Sequence, residues 1–181
     1  MDNIPSLIFL DIDGVINNKK NEQEHIKQKK SISSYKITLP TQQIVNLKQI
    51  LDSVPNPRII LSSSWRLGGP DGLDMRNLGK QLSSFGIYID DTTPYLGHQN
   101  SYRGLEIMCY LETFNKIEGY FPPYIILDDN IKSIIPYHKG HIVYCNPIYG
   151  LDGKGVNISI NLIKKQRNEF LRSSIPVPNQ V

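Results

Sequence analysis

Leu7-Ile8-Phe9-Leu10-Asp11-Ile12-Asp13-Gly14-Val15 is the stretch on which the fold turns. Four apolar residues ending abruptly in two acids and a glycine read as a buried strand that reaches a functional edge. A short continuous apolar run suits a strand covered on both faces, as in a parallel α/β sheet. Alternation along a strand predicts Asp11 and Asp13 on one side and Ile12 on the other. Gly14 lets the backbone turn away or lets a ligand approach closely. In open α/β sheets the ligand crevice lies outside the carboxyl ends of the strands, where these acids fall. An Asp-x-Asp-Gly string is also compatible with a plain turn. An EF-hand loop is excluded, since it needs an oxygen donor at its fifth position and Gly at its sixth. Counted from Asp11, those positions hold Val15 and Ile16.

The 181 residues and 20.6 kDa suit one domain over residues 1–172, with 16–38 as a flap or loop insertion and 173–181 as a flexible tail. Hydrophobic residues make up 39% and charged ones 20%, which argues against a disordered chain. The net charge of +3 says little, but its distribution says more. Lys19, Lys20, Lys27, Lys29, Lys30 and Lys36 crowd together against only Glu22 and Glu24, a run that suits contact with a polyanion or a solvated loop. Cys109 and Cys145 fit no metal or redox spacing and read as buried thiols of a reducing compartment, by default the cytoplasm. The first apolar run is broken by Asp11 and Asp13, which argues against a signal peptide or membrane span.

Along the chain, apolar strands alternate with amphipathic helices. Thr41 is positioned to cap a helix carrying Ile44, Leu47, Leu51 and Val54, which Pro55 and Pro57 end. Ile59-Ile60-Leu61 runs into Ser62-Ser63-Ser64-Trp65-Arg66. A helix with Met75, Leu78, Leu82 and Phe85 inward stops at Gly86, and Ile87-Tyr88-Ile89 follows as a short strand. A helix from about Tyr102 turns Leu105, Met108 and Leu111 inward; Tyr124-Ile125-Ile126-Leu127 then empties into Asp128-Asp129. His141 to Tyr144 is a fifth strand, and a last helix carries Val156, Ile160, Ile163 and Phe170. Such alternation implies a parallel sheet with right-handed crossovers, whose carboxyl ends share one edge. Asp11, Asp13, Ser62, Asp128 and Asp129 therefore converge. Carboxylates brought together repel unless a cation holds them, and oxygen donors without a His or Cys cluster favour Mg²⁺.

The order of these pieces resembles the haloacid dehalogenase (HAD) superfamily of aspartyl phosphohydrolases over roughly residues 7 to 151. The resemblance implies a HAD-like Rossmannoid three-layer α/β sandwich with a mainly parallel five-stranded sheet and no or minimal cap. It makes Asp11 the nucleophile that becomes aspartyl-phosphate. Asp13 becomes the general acid and then the base, a role worth roughly 10²–10⁴ in rate. Ser62 and Ser63 would bind the phosphoryl oxygens, with Arg103 as the third motif's cation and Lys80 and Arg66 its rivals. Asp11, Asp13, Asp128 and Asp129 would hold Mg²⁺, with Asp128 foremost of the last pair. Ser62-Ser63-Ser64-Trp65-Arg66, Thr93-Pro94, Arg103-Gly104-x-Glu106-Ile107, Leu127-Asp128-Asp129 and Gly150-Leu151 are more narrowly similar to the HAD domain of "Swiss Army Knife" RNA-repair proteins. That likeness implies removal of terminal phosphates from nucleic acid, with Arg66 as a second phosphate clamp and any repair kinase or ligase acting in trans. An open site suits a polynucleotide end. The alternatives are a phosphatase of small nucleotides, sugar phosphates or phosphoproteins, and a catalytically silent binding module.

Overall fold

Strand β1 (Ser6–Leu10) is buried along its whole length and pairs in parallel on both sides, with β2 (Pro57–Leu61) and β4 (Tyr124–Asp128). Outside these lie β3 (Asp91–Thr92) and β5 (Ile142–Tyr144), giving five parallel strands in the order β3-β2-β1-β4-β5. The computed structural model describes residues 4–27, 37–97 and 102–173. A central strand paired at both edges and covered on both faces has no place for a polar side chain, which is why residues 7–10 are all apolar.

Among the described residues six α-helices accompany the sheet: α1 (Lys19–Lys27), α2 (Thr41–Ser53), α3 (Leu73–Ser83), α4 (Arg103–Glu118), α5 (Ile135–His138) and α6 (Gly153–Ser173). Alternation along β1 divides the core. Ile8 and Leu10 pack with Ile44 and Leu47 of α2, Leu78 and Leu82 of α3, and Val156 and Ile163 of α6. Leu7 and Phe9, with Ile60 and Ile126, face Ile107 and Leu111 of α4. Each such side chain removed from water contributes about 1.5–3 kcal/mol. The chain winds outward from β1 to β3, then returns to β4 on the other side of β1. That reversal opens a crevice at the carboxyl ends of β1 and β4.

Several local expectations are corrected. Residues 19–27 of the expected 16–38 loop form α1, and its start is anchored. The Lys19 N–H donates to Pro147 O at 2.9 Å, and Asn18 Nδ2 to Tyr149 O at 3.2 Å. Residues 28–36, with Lys29, Lys30 and Lys36, lie outside the described residues. Thr41 is the first residue of α2 rather than its cap; Pro40 occupies the capping position. The strand expected at Ile87-Tyr88-Ile89 begins instead at Asp91. The Asp90 carboxylate takes the Ile59 N–H at 2.7 Å, so backbone pairing with β2 becomes regular only after it. On α4, Leu105 and Met108 are half-buried, and the buried positions are Gly104, Glu106, Ile107 and Leu111. Cys145 is buried, but Cys109 is only partly so. Ser173, expected in the tail, still belongs to α6, and residues 174–181 lie outside the described residues. Among the described residues no helix is long and apolar enough to cross a membrane.

Candidate active site

Strand register assembles the site. Leu10 lies opposite both Leu61 and Leu127, so the residues that follow, Asp11, Ser62 and Asp128, stand side by side at the carboxyl edge. The Ser62 N–H donates to Leu10 O at 2.8 Å, and the Asp11 N–H to Leu127 O at 3.0 Å. By alternation all three share the face of Phe9, Ile60 and Ile126, the face covered by α4. The first residue of α4 is Arg103. Its Nη1 lies 3.0 Å from Asp11 Oδ1 and 3.2 Å from Asp128 Oδ2, and donates to the carbonyl oxygen of Ser62. Gly104 lets the helix start this close, because a Cβ there would come within 2.4 Å of Ser133 O.

Asp129 completes an acidic group. One carboxylate oxygen each from Asp11, Asp128 and Asp129 lies within 4.8 Å of the others. Gly14 makes room for it: its φ is +79°, and a Cβ would fall 2.3 Å from the Asp129 carboxyl carbon. Burial, then the charge on Asp11, pushes Asp128 up to about 7, with Arg103 offsetting part of the shift. Asp129 is raised by the same two causes. Burial works against the charge on Arg103, but Asp11 and Asp128 more than reverse it, so its pKa is raised. Once all three carboxylates are ionised they outnumber the single guanidinium by two charges, and every donor is a hard oxygen. This is the donor set of a divalent cation such as Mg²⁺.

Asp13 stands outside that group. After Leu10 the chain leaves the strand, and the N–H groups of Val15, Ile16 and Asn17 all turn back to Ile12 O. Alternation therefore does not carry through to residue 13. The Asp13 oxygens are held separately, Oδ2 by Trp65 Nε1 at 2.9 Å and Oδ1 by Asn17 Nδ2 at 3.0 Å. Asp13 is thus gripped by neutral donors, and its carboxylate is not gathered with the metal-ligand candidates. Glu22 of α1 accepts from the same Asn17 amide at 3.4 Å. Its pKa is raised by burial and then by Asp13.

The hydroxyls of Ser62, Ser63 and Thr93 are buried and have no hydrogen-bond partner among the described residues. Unpaired buried hydroxyls beside a cation suit an incoming oxyanion. Arg66 is differently placed. It is paired with Glu106 at 2.7 Å and donates to Thr93 O at 3.1 Å, Ser63 O at 2.6 Å and Pro94 O at 3.3 Å. Those bonds tie the ends of β2 and β3 to α4. Lys80 lies exposed on α3. Sequence reasoning did not reach Asn17, Trp65 and Glu106 as partners of site residues. The signal available was the quoted Trp65 and Glu106, together with an Asn pair directly after the first motif.

A family model described as the HAD domain in Swiss Army Knife RNA repair proteins matches residues 7–156. The chain belongs to that family. No curated protein and no solved structure matches it. The match runs from β1 into α6, so it takes in every strand of this HAD domain and all four acids at its carboxyl edge. The five parallel strands flanked by helices are a HAD-like Rossmannoid fold, and membership carries a phosphatase-like role.

Proposed function

We propose that this HAD domain is a Mg²⁺-dependent phosphomonoesterase acting through an aspartyl-phosphate on Asp11, with phosphorylated polynucleotide ends as substrate. The observation that carries the reading is Arg103 bridging Asp11 and Asp128 beside Ser62, whose buried hydroxyl has no partner among the described residues. Asp11, Asp128 and Asp129 would hold the metal. When bound, Mg²⁺ supplies positive charge beside the phosphoryl oxygens.

Each residue then has a task. Ser62, Ser63 and Arg103 hold the phosphoryl group in line with Asp11. A carboxylate oxygen of Asp11 forms a bond to phosphorus as the bond to the leaving oxygen breaks. The Asp13 carboxyl gives its proton to that oxygen. Water then attacks phosphorus and loses a proton to Asp13; the bond to Asp11 breaks and inorganic phosphate leaves. Trp65 and Asn17 keep Asp13 oriented through both proton transfers. Arg66 holds the Ser63 and Thr93 backbones, and in this reading its part in phosphate binding is exerted through them.

The repair family and the basic Lys19–Lys20 start of α1 support a polynucleotide over a small metabolite. Two free thiols support a reducing interior such as the cytoplasm. The test is phosphate release from 3′- and 5′-phosphorylated oligonucleotides and from p-nitrophenyl phosphate, with Mg²⁺ and with EDTA. Mg²⁺-dependent release from one oligonucleotide end is expected, falling at least about 10⁴-fold in Asp11→Asn. Turnover of p-nitrophenyl phosphate alone would move the substrate to small esters.

A further inference from the structure

A cleft of about 680 Å³ opens between α1, α2 and the loop joining β5 to α6. That volume is in the range of small-molecule sites, about 300–1,000 Å³. Its walls are amides: Asn18, Asn21, Gln42, Gln43 and Asn46, with Tyr149 at the loop. We propose that it seats the base and sugar of the terminal nucleoside whose phosphate enters the Asp11 site. This inference rests on the polynucleotide reading above.

The hydrogen bonding selects the ligand class. Each amide spends one N–H on the fold: Asn18 Nδ2 and Gln43 Nε2 on Tyr149 O, Asn46 Nδ2 on Leu151 O at 2.7 Å, and Gln42 Nε2 on Asn46 Oδ1 at 3.0 Å. The side-chain oxygens of Gln42 and Gln43 have no partner among the described residues, so both lining residues keep an acceptor to offer a ligand. Lys20 is the one basic residue lining the cleft among the described residues, set against Glu24 and Asp152. A phosphate would find the wrong charge here, whereas base amino groups and sugar hydroxyls find acceptors. Ile148 and Tyr149 leave 49% and 61% of their surface exposed at the rim. An aromatic ring so placed is a stacking platform for a base, worth about 1–3 kcal/mol by alanine substitution.

Position selects the substrate. Asn21 on the cleft wall donates to Asn17 Oδ1 at 3.1 Å, and Asn17 donates to Asp13 at 3.0 Å. The cleft wall is therefore linked to the general acid through two hydrogen bonds, and in this proposal one nucleotide reaches from the cleft to the Asp11 site. Its walls are preformed: the Leu151 N–H donates to Val15 O at 2.8 Å, and Lys19 is bonded to Pro147.

Tyr149→Ala removes the ring and keeps the backbone oxygen that anchors Asn18 and Gln43. The assay compares a phosphorylated trinucleotide, the same trinucleotide lacking the terminal base, a phosphopeptide and p-nitrophenyl phosphate. In Tyr149→Ala the ratio of kcat/KM for the trinucleotide to that for p-nitrophenyl phosphate should fall about tenfold, through KM. Removing the terminal base should produce the same loss in the wild type, and Tyr149→Ala should then add nothing. Trinucleotide turnover that is indifferent to Tyr149 would overturn the cleft assignment while leaving the polynucleotide reading intact. A fall shared equally by both substrates would also overturn it, as a folding effect. Turnover of the phosphopeptide but of no trinucleotide would overturn both.

Discussion

Two arginines meet the same sheet edge beside the start of α4 and sit in opposite electrostatic states. At the β2–β3 end, Arg66 meets one carboxylate, Glu106, with both side chains only 6% exposed, and spends further N–H groups on three carbonyl oxygens. Glu106 uses its other oxygen for the Leu96 N–H at 3.1 Å. Charge and hydrogen bonds balance there without a ligand. At the β1–β4 crevice, Arg103 meets Asp11 and Asp128 with Asp129 close by, and burial, then the charge on Asp11, raises the pKa values of Asp128 and Asp129. A balanced cluster is scaffold. An unbalanced one is kept because binding resolves it.

Breaking the balanced pair should produce the largest loss of stability. Glu106→Ala leaves a buried guanidinium without its counter-charge, and the expected cost is about 3–5 kcal/mol. Urea unfolding measures it as a drop in midpoint. Replacing both members, as in Arg66→Met with Glu106→Leu, should recover much of the loss, because the uncompensated charge is gone. A Glu106→Ala midpoint equal to the wild type would erase the distinction between the two arginines.

Arg103→Ala should separate them from the other direction. Its expected effect is a fall in kcat of about 10²–10³, the size seen when one donor to a developing oxyanion is lost, with the protein still folded. Arg103→Lys should restore part of the rate, since a point charge returns without the planar fork. Circular dichroism run beside phosphate release checks both halves. A rate loss no greater than the unfolded fraction accounts for would make Arg103 scaffold too.

The same contrast explains what could be read before the structure. The sheet, its parallel order and the acids at its edge were legible because burial on both faces leaves an unmistakable apolar run, and β1, β2 and β4 all carry one. Asp11, Ser62 and Asp128 follow directly from register. β3 was misplaced because its two residues, Asp91 and Thr92, have no apolar pattern, while Ile87 is buried without pairing. Glu106 is legible within a motif but its partner is not; burial against Arg66 emerges only in the fold. The separate placing of the Asp13 carboxylate was not legible, because strand alternation does not extend past the point where the backbone turns at Ile12. Among Arg103, Arg66 and Lys80, only the folded chain shows that Arg103 is the one beside Asp11 and Asp128.

The smallest effect expected is a graded one, and it probes the unbalanced side directly. With its folded-state pKa pushed up to about 7, Asp128 holds a proton in the native state where the unfolded chain, near 3.9, has lost it. In EDTA this contribution to stability is full below about pH 4 and is lost as pH rises through about 7. Mg²⁺ needs the carboxylate, so proton and metal compete. Affinity should strengthen by up to about tenfold per pH unit between about 5.5 and 7 and level off above it. Titration calorimetry at those pH values, in buffers of different ionisation enthalpy, should also show proton release on binding. Asp128→Asn should bind Mg²⁺ more weakly and with a shallower pH dependence, because the group that competes has gone. A wild-type affinity that is flat across that range would mean that Arg103 already satisfies the crevice as fully as Glu106 satisfies Arg66, and the two sides of the site would be electrostatically alike.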